Sequence, residues 1–450
     1  MENKYGSEQL ASGSLSLTSC VTLLMGAMIG SAIFSLSGVT YAVSGPAHII
    51  TWVVAAAIML VYGLVIAELA SLYPVTGGLY VYPREIFGKT EGQKDFWGWF
   101  SAWAFLNPSI FGAAFAAIYV ATYLGSVIPA VEPYVIICAL VACVLCGILN
   151  IFKVSVAGKV NLILVAFMAI VMVIFAITGF ANFDAANFTP FFTQGTGGAM
   201  GWVASVPNAL LAYGAVAALV SMTSEIRNPN KTVPRAMTIS ITLTAVLYVL
   251  VVIATIGMMN VQVLLDDPHL QYYPLNAALD NALGGSPVIS ILVALAALMA
   301  LITTMLVLIM AASRTIMAAA KAGFLPAFIG KVNPKTQTPV NAIIIITVIT
   351  AALSCFPNFS KDIVGTGAFC KLVTIVIMVV TLLVARKHFP HQEGNYRMPG
   401  GAALPIFVVI LIAFFVFLQD LRPVVLALIW FAVGFVIYGI FLAIKKAKTK

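Results

Sequence analysis

The chain has 450 residues, of which 62% are hydrophobic and only 8% are charged. About a quarter of the residues in soluble globular domains are charged, so this composition excludes an ordinary soluble protein. It indicates a chain that lies mostly in lipid. The formal net charge of +8 requires no nucleic-acid partner, because the basic residues gather in the connections between apolar segments.

Apolar segments of about 20 residues recur along the whole chain, and each could cross a bilayer as a helix. We therefore predict an all-α polytopic membrane protein with twelve transmembrane helices. They lie at residues 17–40, 47–72, 97–123, 134–151, 159–180, 199–223, 236–259, 287–313, 340–357, 363–385, 403–420 and 423–444. Short tails at 1–16 and 445–450 flank these segments.

The distribution of basic residues predicts the orientation of the chain. If the twelve segments alternate in direction, twenty of the 23 lysines and arginines fall on one side of the membrane. Only Lys361 and Arg422 fall on the other side, and Lys371 lies within a span. Because cytoplasmic loops carry the excess of basic residues, we expect both termini to be cytoplasmic in a multi-pass protein of the cell (plasma) membrane.

Two predicted spans contain residues that weaken a helix. Residues 26–34 place Gly26 and Gly30 in the middle of the first span, and the sixth span contains Pro207 and, further on, Gly214. In lipid, freed backbone groups are tolerated only where they line a cavity. Breaks at corresponding positions of two oppositely oriented halves are typical of the substrate site of a secondary transporter.

Four motifs extend this interpretation. In chain order they are GAMIGSAIF at 26–34; AEL at 67–69 with YPVTGGLYVY at 73–82; SEIRNPNKTVPR at 224–235; and SR at 313–314 with GFLP at 323–326 and TP at 338–339. Their order and spacing resemble those of the amino acid–polyamine–organocation (APC) superfamily of permeases. Within that superfamily the chain resembles bacterial relatives of the L-type amino acid transporters.

The resemblance implies a leucine-transporter-like fold with discontinuous spans 1 and 6. Two inverted five-span repeats, at 17–180 and 199–385, would precede two further helices at 403–444. It also implies amino-acid transport by alternating access, as an exchanger (antiporter) or a proton-coupled importer. Backbone amides near Ser31, Ala32 and Ile33 would bind the substrate carboxylate. Carbonyls in two stretches would bind its α-ammonium: those near Met28 and Ile29 in span 1, and those around Leu211, Ala212, Tyr213 and Gly214 in span 6. Gly30, between the two sets of groups in span 1, is a further substrate-binding candidate.

The chain departs from the family pattern at two positions. Ala32 stands where glycine is usual, and its methyl group would narrow the approach to the amides. Met168 stands about where many relatives carry a lysine in span 5, whose ammonium replaces a coupling sodium ion. The usual cationic coupling residue is therefore absent from its position.

Lys371 is the basic residue that topology leaves inside the membrane. It lies some nine residues, or roughly 13 Å, into span 10, where a lysine normally faces a cavity and has a partner. One interpretation is a titrating or substrate-gating cation that replaces the missing lysine of span 5. The other is a structural side chain that reaches Asp362 or pairs with backbone carbonyls.

Two carboxylates lie at the cytoplasmic ends of predicted spans. Glu68 at the end of span 2 could pair with an inner-loop arginine or lysine, or could be a simple interfacial carboxylate. Glu225 ends span 6 beside Arg227 and is interpreted as an inner-gate or loop-ordering residue.

Four further polar or aromatic side chains are candidates within the spans. Thr303 and Thr304 could supply hydroxyl ligands to a sodium ion or hydrogen bonds between helices. Asn107 could meet a substrate or bind the backbone freed by Pro108. Tyr213, in the break of span 6, could close over a bound substrate.

Other functions fit the residues less well. An antiporter that exchanges an amino acid for its decarboxylated amine or a polyamine would need an acidic side chain near the breaks, and the sequence offers none there. A channel or nutrient receptor on a transporter scaffold is the alternative of another class. We do not expect an enzyme, because the predicted spans contain no cluster of His, Asp and Glu that could carry out chemistry. We predict no cofactor and no metal site, and the expected partners are a small-molecule substrate and the bilayer.

Overall fold

The structure is a computed structural model that describes residues 5–152, 154–284, 287–388 and 394–449. For residues 31, 32, 126, 127, 129, 154–157, 287, 448 and 449 it describes the backbone only. The described part of the chain is helical, and two isolated β-bridges are its only strand-like pairings. This confirms the predicted all-α class.

Seventeen α-helices follow one another in the described residues. They are α1 Leu17–Ser31, α2 Ser37–Ser44, α3 His48–Leu72, α4 Gly78–Phe87, α5 Glu91–Val127, α6 Val135–Ile151, α7 Val154–Ala181, α8 Gly201–Ala204, α9 Val206–Ala212, α10 Pro229–Met258, α11 Val261–Asp266, α12 Pro274–Leu283, α13 Pro287–Lys321, α14 Val340–Ser354, α15 Ser360–His388, α16 Ala403–Phe417 and α17 Leu421–Thr449. A π-helix, Ala32–Leu36, joins α1 to α2, and a 3-10 helix, Gly214–Glu225, follows α9.

Nine helical segments of the described residues are long and apolar enough to cross a membrane. One of them, Leu17–Leu72, has 56 residues and contains α1, α2 and α3, so it is long enough for two of the predicted spans. Two predicted spans form shorter apolar helices of 15 residues each, α14 and α16. A polytopic membrane protein accounts for this pattern.

The first helical break lies at Gly30. Its φ of −17° and ψ of −128° are not helical. A Cβ atom at this position would lie 1.4 Å from Thr304 Oγ1, so only glycine allows α1 to approach α13 this closely. Packing against α13 thus requires the glycine that marked the break in the sequence.

The second break follows α9, which ends at Ala212. Tyr213 leaves the α-helical region with φ −86° and ψ 12°, and the chain continues as the 3-10 helix. Pro207 lies in the first turn of α9, where a missing N–H is tolerated. The change of helix type therefore occurs around Tyr213 and Gly214, while the proline starts a helix.

The N-terminal segment 5–16 packs against the bundle. Tyr5, Leu10 and Leu15 are buried. The Leu15 amide donates to the Glu225 carbonyl and the Arg227 amide donates to the Leu15 carbonyl, at 2.9 Å each. This segment defines what we call the N-terminal end of the bundle.

Candidate functional site

A narrow cavity separates the two broken helices. Its free space is about 40 Å³, enough for a few water molecules. On one side lie Ala27 and Met28 of α1, and on the other lie Leu211, Ala212 and Gly214. The structure therefore brings parts of both predicted breaks to one place.

The remaining walls of the cavity are mostly apolar. They come from α5, α13, α15 and the π-helix, and the large side chains among them are Leu36, Phe105, Phe111, Phe115, Leu308, Ile363 and Val364. The polar side chains in the lining are Ser109, Thr304 and Lys371. Among the described residues no carboxylate lines this cavity. Sequence reasoning missed the apolar walls, because such residues are common in every span of this chain.

Lys371 projects into this cavity from the middle of α15. Its Nζ atom donates a hydrogen bond of 2.8 Å to the Gly214 carbonyl and lies 5.2 Å from the centre of the Tyr62 ring. The alternative partner from the sequence, Asp362, pairs with Arg422 at 2.7 Å. Of the structural pairings considered for Lys371, the one present is with a backbone carbonyl.

An aromatic cluster contacts the backbone of α1 near the first break. The Tyr248 hydroxyl donates to the Met28 carbonyl, and the centre of its ring lies 4.7 Å from the Trp52 ring and 5.3 Å from the Tyr213 ring. The Tyr213 side chain belongs to this cluster and is absent from the cavity lining in this conformation. Tyr248 was missed, because a lone tyrosine in an apolar span carries no sequence signal for such a bond.

Thr303 and Thr304 connect α13 to α1. The Thr303 hydroxyl donates to the Gly26 carbonyl at 2.8 Å, and the Thr304 hydroxyl lies 3.3 Å from the Ala27 carbonyl. These are the interhelical hydrogen bonds named as the alternative to sodium ligation. Met168 is buried on α7, a helix that packs against both α1 and α13.

The other predicted site residues lie around the cavity without lining it. Ile29 and Ile33 are fully buried, and Gly30 packs on α13. Asn107 is also buried, and neither its amide oxygen nor its amide nitrogen has a hydrogen-bond partner among the described residues. The side chains of Ser31 and Ala32 lie outside the described part of the structure.

Glu225 pairs with Arg314 at the N-terminal end of the bundle. Arg314 Nε lies 2.5 Å from Oε2 and Nη2 lies 2.8 Å from Oε1. Both side chains are at most 1% exposed. The sequence suggested Arg227 as the neighbour of Glu225, and the partner observed is 89 residues away. Such a bidentate pair fastens the 3-10 helix to α13.

A second bidentate pair joins Glu68 of α3 to Arg386 of α15, at 2.6 and 2.8 Å. The Met398 amide also donates to the Glu68 carboxylate at 2.9 Å. Of the two interpretations of Glu68, pairing with an inner-loop basic residue describes this geometry.

A third charged cluster surrounds Arg84 of α4. Its guanidinium lies 2.7 Å from Glu85, 2.8 Å from Glu91 and 3.4 Å from Asp95. The Tyr5 hydroxyl donates to Glu85, and burial together with this carboxylate raises the pKa of Tyr5 well above its usual value. The N-terminal segment is thereby held in the cluster.

The broken helices, the narrow cavity between them and the ion pairs at one end are the features expected of a membrane transporter. The sequence model of the amino acid permease family matches residues 15–442. The chain belongs to this family, as the predicted APC resemblance implied, and it is a permease and not an enzyme.

Several named relatives align over nearly the whole chain. The branched-chain amino acid permease BcaP of Lactococcus lactis subsp. cremoris is 26% identical over 445 residues, covering 93% of this chain and 92% of the relative. BcaP of Bacillus subtilis is 27% identical over 454 residues, covering 94% and 91%. The methylthioribose transporter of Bacillus subtilis is 26% identical over 444 residues, covering 94% and 92%.

Proposed function

We propose that this permease is a secondary active transporter that carries neutral amino acids with aliphatic side chains by alternating access. The observation that carries the proposal is a cavity between two broken helices, with Met28 on one side and Gly214 on the other, mostly apolar walls elsewhere and no carboxylate among the described residues that line it.

The backbone of the breaks would bind the groups that all amino acids share. Carbonyls near Met28 and Gly214 are suited to an α-ammonium, because carbonyl oxygens accept from cations at the ends of half-helices. Amides around residues 31–33 would receive the carboxylate, since the start of a half-helix presents free N–H groups. These assignments extend the family resemblance to this chain.

The apolar walls favour an aliphatic side chain. Phe105, Phe111, Leu308 and Ile363 offer only hydrocarbon surface, and burying such surface contributes about 25 cal/mol per Å². Two of the relatives are named as branched-chain permeases, which agrees with this choice. A second ammonium, as in a polyamine, would meet Lys371 and no carboxylate, so the amine antiporter receives less support.

The proposed topology has twelve spans and both termini in the cytoplasm of the cell. The basic residues on one side of the predicted spans support this orientation. The breaks at Gly30 and Gly214 support two inverted repeats at 17–180 and 199–385, followed by the helices at 403–444.

Exchange without sodium is the proposed mode of coupling. The hydroxyls of Thr303 and Thr304 already contact the carbonyls of span 1, and Met168 brings no charge to the neighbouring helix. The threonine contacts support a junction of spans 1 and 8 that needs no cation, and Met168 excludes coupling through a lysine at that position of span 5. Proton coupling through Lys371 is the competing mode.

Uptake into proteoliposomes tests the proposal. The full chain is reconstituted, and labelled leucine, lysine and putrescine are offered with or without internal leucine, with sodium or choline, at an acidic and a neutral pH. We expect saturable leucine uptake that internal leucine accelerates and that ignores sodium. Uptake of putrescine alone would refute the substrate class. Leucine flux that does not saturate would indicate a channel, and uptake driven only by a proton gradient would refute exchange.

A further inference from the structure

Lys371 has few partners for a charged group in the middle of a membrane protein. An ammonium carries three N–H donors, and the described residues supply one carbonyl acceptor, that of Gly214, and one aromatic face, that of Tyr62. The side chain is 1% exposed. A charge buried in this way is costly unless a further ligand or water completes its shell.

The acceptor that Lys371 uses borders the cavity directly. Gly214 follows the end of α9, and a Cβ atom built on it would meet nothing within 4 Å. Open space therefore lies beside its backbone. Gly214 is also one of the carbonyls assigned above to the α-ammonium of a substrate.

We propose that Lys371 is a tethered competitor of the substrate, whose ammonium holds the Gly214 carbonyl in the empty carrier and yields it to the α-ammonium of an incoming amino acid. This inference rests on the proposed amino-acid site. Binding then exchanges one ammonium group for another at the same oxygen, and no acceptor is left without a donor in either state.

The exchange has two physical consequences. Substrate affinity is reduced by the free energy needed to displace Lys371, because a ligand that competes with an internal group binds only the fraction of sites from which that group has moved. The empty carrier is stabilised in return, because the Gly214 carbonyl keeps a hydrogen-bond donor while the protein changes conformation. Lys371 therefore weakens binding and assists the return of the empty carrier.

Lys371→Met tests both consequences. It keeps the length and the apolar stem of the side chain and removes the ammonium. In lipid nanodiscs, titration with leucine should show about tenfold tighter binding to the variant, the size of one hydrogen bond to a charged group. Lys361→Met is the matched control, because Lys361 is exposed on the same helix, and it should bind as the unmodified chain does.

Transport measurements test the second consequence, the return of the empty carrier, separately from binding. In liposomes without internal amino acid, net leucine uptake by Lys371→Met should fall about tenfold relative to leucine–leucine exchange, because only net uptake requires the empty carrier to return. Where the methionine variant does not fold, Lys371→Gln takes its place with the same expected directions.

Unchanged or weaker leucine binding by a folded Lys371 variant overturns the inference, because a true competitor cannot be removed without a gain in affinity. An unchanged ratio of net uptake to exchange overturns it as well. The proposed function fails differently: in that case the unmodified chain itself neither binds nor transports amino acids.

Discussion

Replacing Glu225 by Gln removes one charge from a pair that is buried on both sides. Arg314 would remain at most 1% exposed beside a neutral amide that can no longer accept two charge-assisted bonds. Breaking a buried pair by removing one partner costs about 3–5 kcal/mol. The cost applies only to the conformation in which Arg314 is buried.

Any conformation that opens the N-terminal end and hydrates Arg314 escapes this cost. The Glu225→Gln change should therefore shift the conformational equilibrium toward that opened state by roughly a hundred- to several thousand-fold. The affinity for leucine added on the side of the membrane opposite to the N-terminal end should fall by the same factor.

Native cysteines can report the shift. Cys20 is buried in the first turns of α1, close along the chain to Leu15, whose backbone pairs with residues 225 to 227. Opening of this end should expose Cys20 to a maleimide, and peptide mass spectrometry should show faster labelling by at least about tenfold. Cys143, buried on α6, serves as the internal control.

Asp362→Asn is the matched control variant. Its pair with Arg422 has an arginine that is 72% exposed, and such surface pairs contribute about 0–1 kcal/mol. It should leave the labelling of Cys20 unchanged. Equal labelling of Cys20 in folded Glu225→Gln and in the unmodified chain would refute the reasoning that this pair holds the end closed.

Three further predictions follow from the packing of spans 1, 7 and 8. Gly30→Ala should reduce the yield of folded protein to about a tenth or less in size-exclusion profiles, because its methyl group overlaps the Thr304 hydroxyl, and Thr304→Gly should partly restore the yield. Thr303→Val should lower thermal stability by a degree or two, as expected for about 1 kcal/mol, while uptake stays equal in sodium and choline; a loss confined to sodium buffer would argue for an ion site. Tyr248→Phe frees the Met28 carbonyl that the hydroxyl holds in span 1 and, by the reasoning applied to Lys371, should tighten leucine binding about three- to tenfold in nanodisc titrations. Unchanged affinity would show that this carbonyl does not bind the substrate.

The breaks were predictable from the sequence because their cause is local. Residues that weaken a helix are conspicuous in an apolar span, because lipid offers no partner to freed backbone groups. Gly30 and Gly214 could therefore be located without knowledge of their neighbours. The class of protein followed from the same reasoning together with the ordered motifs.

Partners distant in the chain could not be predicted in this way. Arg314 and Glu225 lie on separate helices, and a single sequence does not indicate which buried arginine faces which carboxylate. The bond from Tyr248 to Met28 is hidden for the same reason. Helix ends were also misjudged: α5 spans Glu91–Val127 against a predicted 97–123, because helices continue past the lipid into charged residues that hydropathy excludes.

The contrast between the two ends of α15 bears on the proposed alternating access. Near its start, Asp362 has a largely exposed partner, whereas near its end Arg386 is held by the buried carboxylate of Glu68. When water reaches a buried ion pair, the Coulomb attraction is lost but the solvation free energy of both charges is recovered. The closed and opened states therefore differ little in free energy. An apolar seal of the same area would lose free energy on opening with no such compensation. In the proposed alternating-access cycle, ion pairs at the N-terminal end would therefore close this end firmly enough to enclose a substrate and weakly enough to release it.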